Sequence, residues 1–288
     1  MCFLGKKEGY PFINPVLLLG CDINKKVFFL SDNFKKKQNN FCEKFLKNYK
    51  ILFLTPLNCF DKNLTSCRVG QHIYHELANL NLEKYKHKFK NVIIVGPETT
   101  YPFFLNKNLD QIKLWDSVLP ENAYLMFGSQ RFSTKSIQKQ QGEWYENNKV
   151  FQTVYIIHQG RIINFYDKKH CVQFTEKTPK FIKNLKITKE ILKNKLEFSK
   201  SKLKKFKAFK ISKDLKIIPI ICSEFFFLNL NEIKKIKKKN INKNLIILLF
   251  VNDSWFMPYF KKLMKNFVIF TSYKLNLPIL YVGWPEKI

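Results

Sequence analysis

The sequence lacks several features that mark common classes of protein. Its longest apolar runs, 217–222 and 245–251, are far shorter than the roughly 18 residues that a membrane-spanning helix needs. Residues 1–10 contain lysines followed by a glutamate, and no apolar stretch of signal-peptide length. These absences predict a protein without a membrane span or an export signal, located in the cytoplasm or at the periphery of a membrane.

Glycine is scarce and the cysteines form no familiar pattern. With nine glycines, the chain contains no phosphate-binding loop and no dinucleotide-binding fingerprint. Its seven cysteines are an odd number without a C-x-x-C pair, which fits neither a zinc ribbon nor a disulfide framework and suggests a reducing compartment. His72 and His75 have no evident third ligand. We therefore predict neither a cofactor nor a metal ion.

Charge of one sign dominates the composition. Lysine and arginine total 51 against 22 acidic residues, which gives a net charge of +29. Only Arg68, Arg131 and Arg161 are arginines, whereas base readout and phosphate forks favour arginine. Abundant lysine, asparagine, isoleucine and phenylalanine are also what an AT-rich genome would encode. Specific nucleic-acid binding is therefore not expected, although weak contact with an anionic membrane is.

Short β-branched and aromatic runs alternate with helical patterns along the 288 residues, which predicts an α/β fold. A hairpin is expected around Gln159-Gly160, and a lysine-dense surface excursion over residues 177–216. Residues 1–49 are interpreted as an N-terminal extension of unclear role, and residues 50–288 as the main domain. The predicted strands are 51–55, 91–95, 124–128, 150–157, 161–166, 217–222, 245–251 and 278–282, with helices at 69–88, 108–118 and 259–274.

Three chemically distinct side chains are predicted at strand ends. Glu98 follows one strand, Lys168 follows another, and Cys222 closes a third. Residues at strand ends can converge at the rim of a sheet, where a rigid scaffold presents them to substrate. Together they would form a nucleophilic site in which the glutamate takes the thiol proton, the thiolate attacks a carbonyl and the lysine stabilises the oxyanion.

Each of these residues alone also has a purely structural interpretation. A cysteine that closes an apolar strand is usually a small core residue. A Pro-Glu after a strand is usually a turn, and Tyr166-Asp167-Lys168-Lys169 is usually a charged loop. The catalytic interpretation depends on all three features occurring in this order.

Four motifs resemble the carbon–nitrogen hydrolase (nitrilase) superfamily, and most closely the nitrilase-like domain of apolipoprotein N-acyltransferase. The Glu98, Lys168 and Cys222 motifs resemble that branch's W-P-E-x-x-x-P, Y-x-K-x-H-L-V-P-F-G-E and I-C-Y-E. The fourth resembles N-D-x-W-F. The matching segments here are G-P-E-T-T-Y-P (96–102), Y-D-K-K-H-C-V-Q-F-T-E (166–176), I-C-S-E (221–224) and N-D-S-W-F (252–256).

The resemblance implies a four-layer α-β-β-α sandwich and a role for each matching residue. Cys222 would be the nucleophile, Glu98 the general base and Lys168 the group that stabilises the oxyanion. Glu176 would support the lysine, and Glu224 matches the family's glutamate two positions after the nucleophile. The backbone N–H of Ser223 is a candidate oxyanion donor. Phe104, Phe225 and Trp255 are further candidates for contact with substrate.

The same resemblance implies a substrate class, with departures that leave alternatives open. The family's acyltransferase takes an acyl chain from a phospholipid and passes it to the N-terminal amine of a lipoprotein, within a polytopic membrane protein. V-P-F-G-E has become V-Q-F-T-E here, and I-C-Y-E has become I-C-S-E. The family also continues past the last strand into a closing hairpin, a place that a predicted hairpin at 16–21 and 27–30 could fill.

Three functions therefore remain open: an N-acyltransferase, a soluble amidase acting on a small amide, and a non-catalytic basic binding protein. An oligomer is an expectation from the family alone.

Overall fold

The computed structural model describes residues 17–19 (backbone only), 47–57, 64–133, 149–172, 176–177, 198–201, 203, 205–254 and 256–284. The strands are β1 (Leu17–Leu19), β2 (Tyr49–Phe53), β3 (Asn91–Val95), β4 (Tyr101–Phe104), β5 (Ala123–Phe132), β6 (Val150–His158), β7 (Arg161–Asp167), β8 (Phe209–Lys210), β9 (Leu215–Ile221), β10 (Asn244–Phe250) and β11 (Ile279–Val282). The helices are α1 (Ser66–Asn79), α2 (Glu83–Lys86), α3 (Leu109–Asp116), α4 (Leu230–Lys238) and α5 (Pro258–Leu275). Two 3₁₀ segments cover Leu105–Lys107 and Cys222–Phe227.

The strands form two mixed sheets, which confirms the predicted α/β class. The first sheet has the order β2-β3-β5-β6-β7, with β4 also paired to β5. The second has the order β1-β11-β10-β9-β8. Strands β2, β3 and β5 are parallel, and two antiparallel steps through β6 return β7 to the direction of β5. Strands β9, β10 and β11 are also parallel, so each sheet collects several carboxyl ends at one edge.

Two hydrophobic clusters form the core, one on each face of the first sheet. Along β3, Ile93 and Val95 belong to one cluster, and Val92 and Ile94 to the other. This alternation is what a strand buried on both faces requires. The first cluster joins the first sheet to the second sheet and to helices α4 and α5. The second cluster joins the opposite face of the first sheet to helices α1 and α3.

The sequence predicted most of these elements, with two local corrections. The predicted helix 69–88 is divided into α1 and α2, because Asn81 takes a left-handed conformation with φ of 46°. The predicted strand 217–222 ends one residue early, since Cys222 begins a 3₁₀ segment. The hairpin between β6 and β7 turns at Gln159 and Gly160, which both have positive φ as a tight hairpin turn demands.

Residues assigned to the N-terminal extension contribute to the second sheet. Strand β1 pairs antiparallel with β11, from Leu17 opposite Tyr281 to Leu19 opposite Ile279. Strand β1 lies within 16–21, the first strand of the hairpin predicted from the sequence. Its second predicted strand, 27–30, lies outside the described residues, as do 178–197 of the predicted lysine-dense excursion.

In the part of the chain that the structure describes, no helix combines the length and the apolar composition needed to cross a bilayer.

Candidate active site

The predicted glutamate, lysine and cysteine follow the carboxyl ends of three strands. Glu98 comes three residues after β3, and Lys168 directly after β7. Because β3 and β7 run in the same direction, these two ends lie at one edge of the first sheet. Cys222 directly follows β9 in the second sheet. The site therefore lies where the edges of the two sheets meet.

Lys168 holds its ammonium group between two carboxylates. Its Nζ donates to Oε1 of Glu98 at 2.8 Å and to Oε1 of Glu176 at 2.6 Å. The lysine side chain is 1% exposed. Its backbone N–H donates to the carbonyl of Gln152 at 2.8 Å, and its own carbonyl accepts from Ser201 at 3.0 Å. The cation is thus fixed at both its backbone and its tip.

The carboxylates keep Lys168 charged despite its burial. Burial by itself lowers the pKa of the lysine, because the ammonium loses its water. The negative charges around it, that of Glu98 foremost, outweigh this effect, and the pKa of Lys168 ends above its usual value. A permanent cation here cannot act as a base at neutral pH. It can stabilise a negative oxygen that develops beside it.

Cys222 occupies a strained backbone position at the end of β9. Its φ is 45°, in the left-handed region that side chains with a Cβ rarely adopt. Ile221 before it is still extended, so the chain turns sharply at the cysteine. Strain of this kind persists only where the surroundings impose it, and it clusters at functional sites.

The Cys222 thiol rests in its protonated form. Burial raises the pKa of the thiol, and the charge of the Glu98 carboxylate raises it further. Lys168 acts in the opposite direction and lowers the pKa, but it does not compensate. A base must therefore remove the proton before the sulfur can attack, and Glu98 is the carboxylate whose charge affects the thiol most.

Glu98 is held by both sheets. Its Oε1 accepts from Lys168, and its Oε2 accepts from the backbone N–H of Asn252 at 3.1 Å, just after β10 in the second sheet. The Asn252 amide also donates to Thr99 Oγ1 at 2.9 Å. The backbone of Glu98 passes so close to Gly128 of β5 that a Cβ added there would lie 1.7 Å from the Glu98 carbonyl oxygen.

Glu176 forms the other side of the lysine pair. Its Oε2 accepts from the backbone N–H of Val172 at 2.7 Å, while Oε1 accepts from Lys168. Burial raises the pKa of Glu176, and the Lys168 charge lowers it, with Glu98 raising it again. Its side chain is 14% exposed, against 5% for Glu98. The more buried carboxylate is the one beside the thiol.

Glu224 ties the cysteine turn to the lysine loop. Its carboxylate accepts from the backbone N–H of Ile221 at 2.9 Å and also from that of Lys169. The Tyr166 hydroxyl donates to both of its oxygens, at 3.0 and 3.1 Å. Glu224 thus bridges the residue before Cys222 and the residue after Lys168. Burial raises the pKa of Glu224 to about 7, although these hydrogen bonds lower it.

The remaining predicted residues have mixed placements. The Ser223 hydroxyl donates to the His170 carbonyl at 2.9 Å. Phe225 is buried and packs edge-on against Phe267, which is ordinary core packing. Phe104 ends β4 and stacks edge-on against Phe132. Trp255 lies outside the described residues.

An apolar groove adjoins the cysteine turn. It encloses about 620 Å³ and contains Phe226, which is on the same 3₁₀ segment as Cys222. Its wall is otherwise formed by Phe256, Met257, Phe260, Leu263, Met264 and Phe267, all from α5 or the residues just before it. Neither Phe104 nor Phe225, which the sequence predicted to contact substrate, lines this groove, and the contribution of α5 was not predicted.

Sequence reasoning assigned no role to Asn252 or Tyr166, although both lie in the quoted motifs. Asn252 is the first residue of the N-D-x-W-F match and Tyr166 begins the lysine motif. Both residues could therefore have been noticed as parts of the motifs. Their hydrogen bonds to Glu98 and Glu224 could not be predicted, because these long-range contacts depend on how the two sheets pack.

Comparison with known proteins gives limited matches. No family model matches the chain. A stretch of 88 residues is 30% identical to apolipoprotein N-acyltransferase of Bradyrhizobium diazoefficiens, covering 30% of this chain and 15% of that protein. The glutamine-dependent NAD⁺ synthetase of Acinetobacter baumannii, solved with ADP, superimposes with a TM-score of 0.45 at 13% identity. That match covers 76% of this chain and 35% of the synthetase. A similarity at this level does not establish a shared function.

Proposed function

We propose that the chain is a nitrilase-type domain that forms an acyl-thioester at Cys222 and passes the acyl group to an amine. One observation carries this proposal. The buried Lys168 is paired to Glu98, and the Glu98 carboxylate is near enough to the Cys222 thiol for its charge to raise the pKa of that thiol. A carboxylate base near a protonated thiol, next to a fixed cation, is the arrangement that nucleophilic acyl transfer requires. The local similarity to an N-acyltransferase supports the same reaction class.

The packing of the elements supports a four-layer α-β-β-α sandwich. Helices α1 and α3 share one hydrophobic cluster with the outer face of the first sheet. The other cluster contains residues of both sheets together with α4 and α5. We infer that the sheets stack face to face between two helical layers, which places their carboxyl edges together at the site.

In the acylation step, Glu98 takes the thiol proton and the Cys222 sulfur attacks the carbonyl carbon of the donor ester. A carbon–sulfur bond forms, and the carbonyl oxygen becomes an oxyanion that Lys168 and a backbone N–H stabilise. The intermediate collapses as the carbon–oxygen bond to the alcohol breaks. Glu98 returns its proton to that departing alkoxide. The acyl group remains on sulfur as a thioester.

In the second step, an amine attacks the thioester carbon and Glu98 takes the proton that the amine loses. The carbon–sulfur bond breaks, and the thiolate that leaves takes the proton back from Glu98. The product is an amide, and the enzyme returns to its resting form. The substrates that we propose are those of the family: a phospholipid as the acyl donor and the N-terminal amine of a lipoprotein as the acceptor.

The apolar groove favours a long acyl chain over a small amide as substrate. A groove of about 620 Å³ with an almost entirely apolar wall has few groups to orient a small polar amide. A soluble amidase, in which water replaces the amine, remains the second candidate, because the same three residues would perform that hydrolysis.

The test is intact-mass spectrometry after incubation with phospholipid and, separately, with simple amides and esters. We expect an adduct of fatty-acyl mass that hydroxylamine removes. The Cys222→Ala variant should show no adduct. The Cys171→Ala variant is the matched control, because Cys171 is also a buried thiol, and its substitution should leave the adduct intact. Adding an amine should convert the wild-type adduct to an amide.

Other outcomes would redirect the assignment. A short acyl adduct obtained from amides alone would indicate an amidase. A fatty-acyl adduct that persists in Cys222→Ala would contradict the proposed nucleophile. Equal behaviour of wild type and Cys222→Ala with every donor would favour the non-catalytic binding protein.

A further inference from the structure

Helix α5 carries a row of large apolar side chains on its outer surface. We define the docking face as Met257, Tyr259, Phe260, Leu263, Phe267 and Phe270 together with Phe226 and Phe227. Each of these residues is exposed, with values from 39% for Phe267 to 71% for Tyr259. Residues 260, 263, 267 and 270 recur at spacings of three and four, so they lie along one side of the helix. The adjoining side of the helix, with Met264, Val268 and Leu275, is buried in the core.

The docking face is continuous with the apolar groove. Phe226 stacks on Phe267 with ring centroids 5.7 Å apart. The groove is also lined by Met257, Phe260 and Leu263, so its wall and the docking face share residues. A contiguous exposed apolar surface on a protein is a recognised mark of an interaction site. Here it extends from α5 to the 3₁₀ segment that begins at Cys222.

All the charged residues of helix α5 are lysines. Helix α5 contains four lysines, at positions 261, 262, 265 and 274, and no acidic residue. Lys274 lies over the Phe270 ring at 5.3 Å, so a cation adjoins the apolar row directly. The whole chain carries a net charge of +29. Two copies brought together through this face would set like charges against each other.

We propose that the docking face binds the surface of an anionic phospholipid bilayer, with α5 lying in the plane of the interface. A helix with aromatic and leucine side chains on one side and lysines beside them is suited to that position. The apolar side chains enter the acyl boundary while the lysines contact anionic headgroups. Charge favours this occupant over a second copy of the chain. The binding does not depend on the chemistry at Cys222.

The docking face lies next to the candidate active site. Phe226 and Phe227 belong to the same 3₁₀ segment as Cys222, so a bilayer bound there would adjoin the nucleophile. An acyl chain leaving the bilayer could enter the groove without crossing water.

The experiment is flotation with vesicles of phosphatidylcholine, with and without phosphatidylglycerol, at low and high salt. The test variant is Phe260→Ser/Leu263→Ser/Phe270→Ser. The matched control, Leu109→Ser/Leu203→Ser/Ile241→Ser, removes three exposed apolar side chains that lie off the docking face. We expect wild type and control to bind the anionic vesicles. The affinity of the test variant should be lower by a factor of roughly ten or more. Circular dichroism melts establish that all three proteins fold.

Each alternative result overturns the proposal in a distinct way. Failure of wild type to bind anionic vesicles would exclude a bilayer as the occupant. No loss in either variant would show that lysines alone produce the binding. Equal loss in both would show that the docking face contributes no more than other exposed apolar side chains. A wild-type dimer in analytical ultracentrifugation that the test variant dissociates would identify a second copy as the occupant. Cys222→Ala should bind vesicles like wild type, which separates failure of docking from failure of the acyl-transfer proposal.

Discussion

Lys168 carries a full positive charge in a position that water does not reach. Two carboxylates compensate it, and each of them is itself partly or fully buried. Water cannot replace either partner, because the site is buried. A buried charge that loses its partner either becomes neutral or destabilises the fold through its lost hydration. The proposed chemistry and the stability of this part of the fold thus share two side chains, Glu98 and Lys168.

The first residue-scale prediction concerns Lys168→Met. The variant leaves Glu98 and Glu176 buried without their cation, and we expect the free energy of unfolding to fall by about 3–5 kcal/mol. Urea denaturation measures this change. Lys90→Met is the matched control, since Lys90 pairs with Asp214 at 3.4 Å where both side chains are about half exposed. That pair should contribute less than about 1 kcal/mol, so similar losses in the two variants would contradict the argument.

The sequence predicted that Glu98, Lys168 and Cys222 lie at the ends of three strands, but it did not predict their contacts. Glu98, Lys168 and Cys222 could be chosen because each follows an apolar run that predicts a strand. The positive φ of Cys222 could not be predicted, because its neighbours Ile221 and Ile220 favour a strand that would continue through it. In the 3₁₀ turn there, Glu224 accepts from the Ile221 N–H and also from Tyr166 and Lys169, which are distant in the sequence. Such long-range contacts cannot be predicted from the local sequence.

At the scale of elements, strand β5 limits where the Glu98 loop can run. Gly128 donates its N–H to the Pro97 carbonyl at 3.0 Å, and this contact presses the loop against the strand. A side chain at position 128 has no room, because the atoms it would meet are the backbone of Glu98 and not a flexible side chain. The predicted strand 124–128 ended at this glycine, whereas β5 continues through it to Phe132.

The element-scale prediction is that Gly128→Ala displaces the Glu98 loop and abolishes acylation of Cys222. Overpacking of this kind costs about 1–3 kcal/mol of stability, so the folded fraction must be measured as well. Gly160→Ala is the control, because it strains the hairpin turn at φ of 65° but lies away from the site. It should cost about 1–2 kcal/mol and leave acylation intact in the folded protein. Normal acylation in Gly128→Ala would show that the close approach is not required.

At the scale of the whole molecule, polar contacts of Asn252 and Glu224 join one sheet to the other at the site. Asn252, after β10, donates to Glu98 of the first sheet, and Glu224, after β9, accepts from Tyr166 and Lys169 of the first sheet. The hydrophobic cluster between the sheets is non-directional and fixes their spacing. The polar contacts are directional and fix how one sheet is positioned along the other. This position brings Cys222 close to the Glu98–Lys168 pair.

The last prediction is that Glu224 makes global stability depend on pH. Burial raises its folded-state pKa from 4.5 to about 7, so the folded protein binds a proton that the unfolded chain has released between those values. A group with a raised folded pKa contributes its stability fully below the unfolded pKa, and that contribution is lost as pH rises through the folded pKa. The sign is therefore opposite to that of an ordinary salt-bridged carboxylate.

Glu224→Gln removes this titration and leaves the other titrating groups in place. The difference in free energy of unfolding between wild type and Glu224→Gln should fall by roughly 1.4 kcal/mol for each pH unit between about 5 and about 7. Urea denaturation of both proteins across that range measures it, and groups common to both cancel in the difference. A difference that stays constant with pH would mean that Glu224 is ionised throughout. The carboxylate would then join the two sheets as a fixed charge that its three hydrogen-bond donors alone compensate.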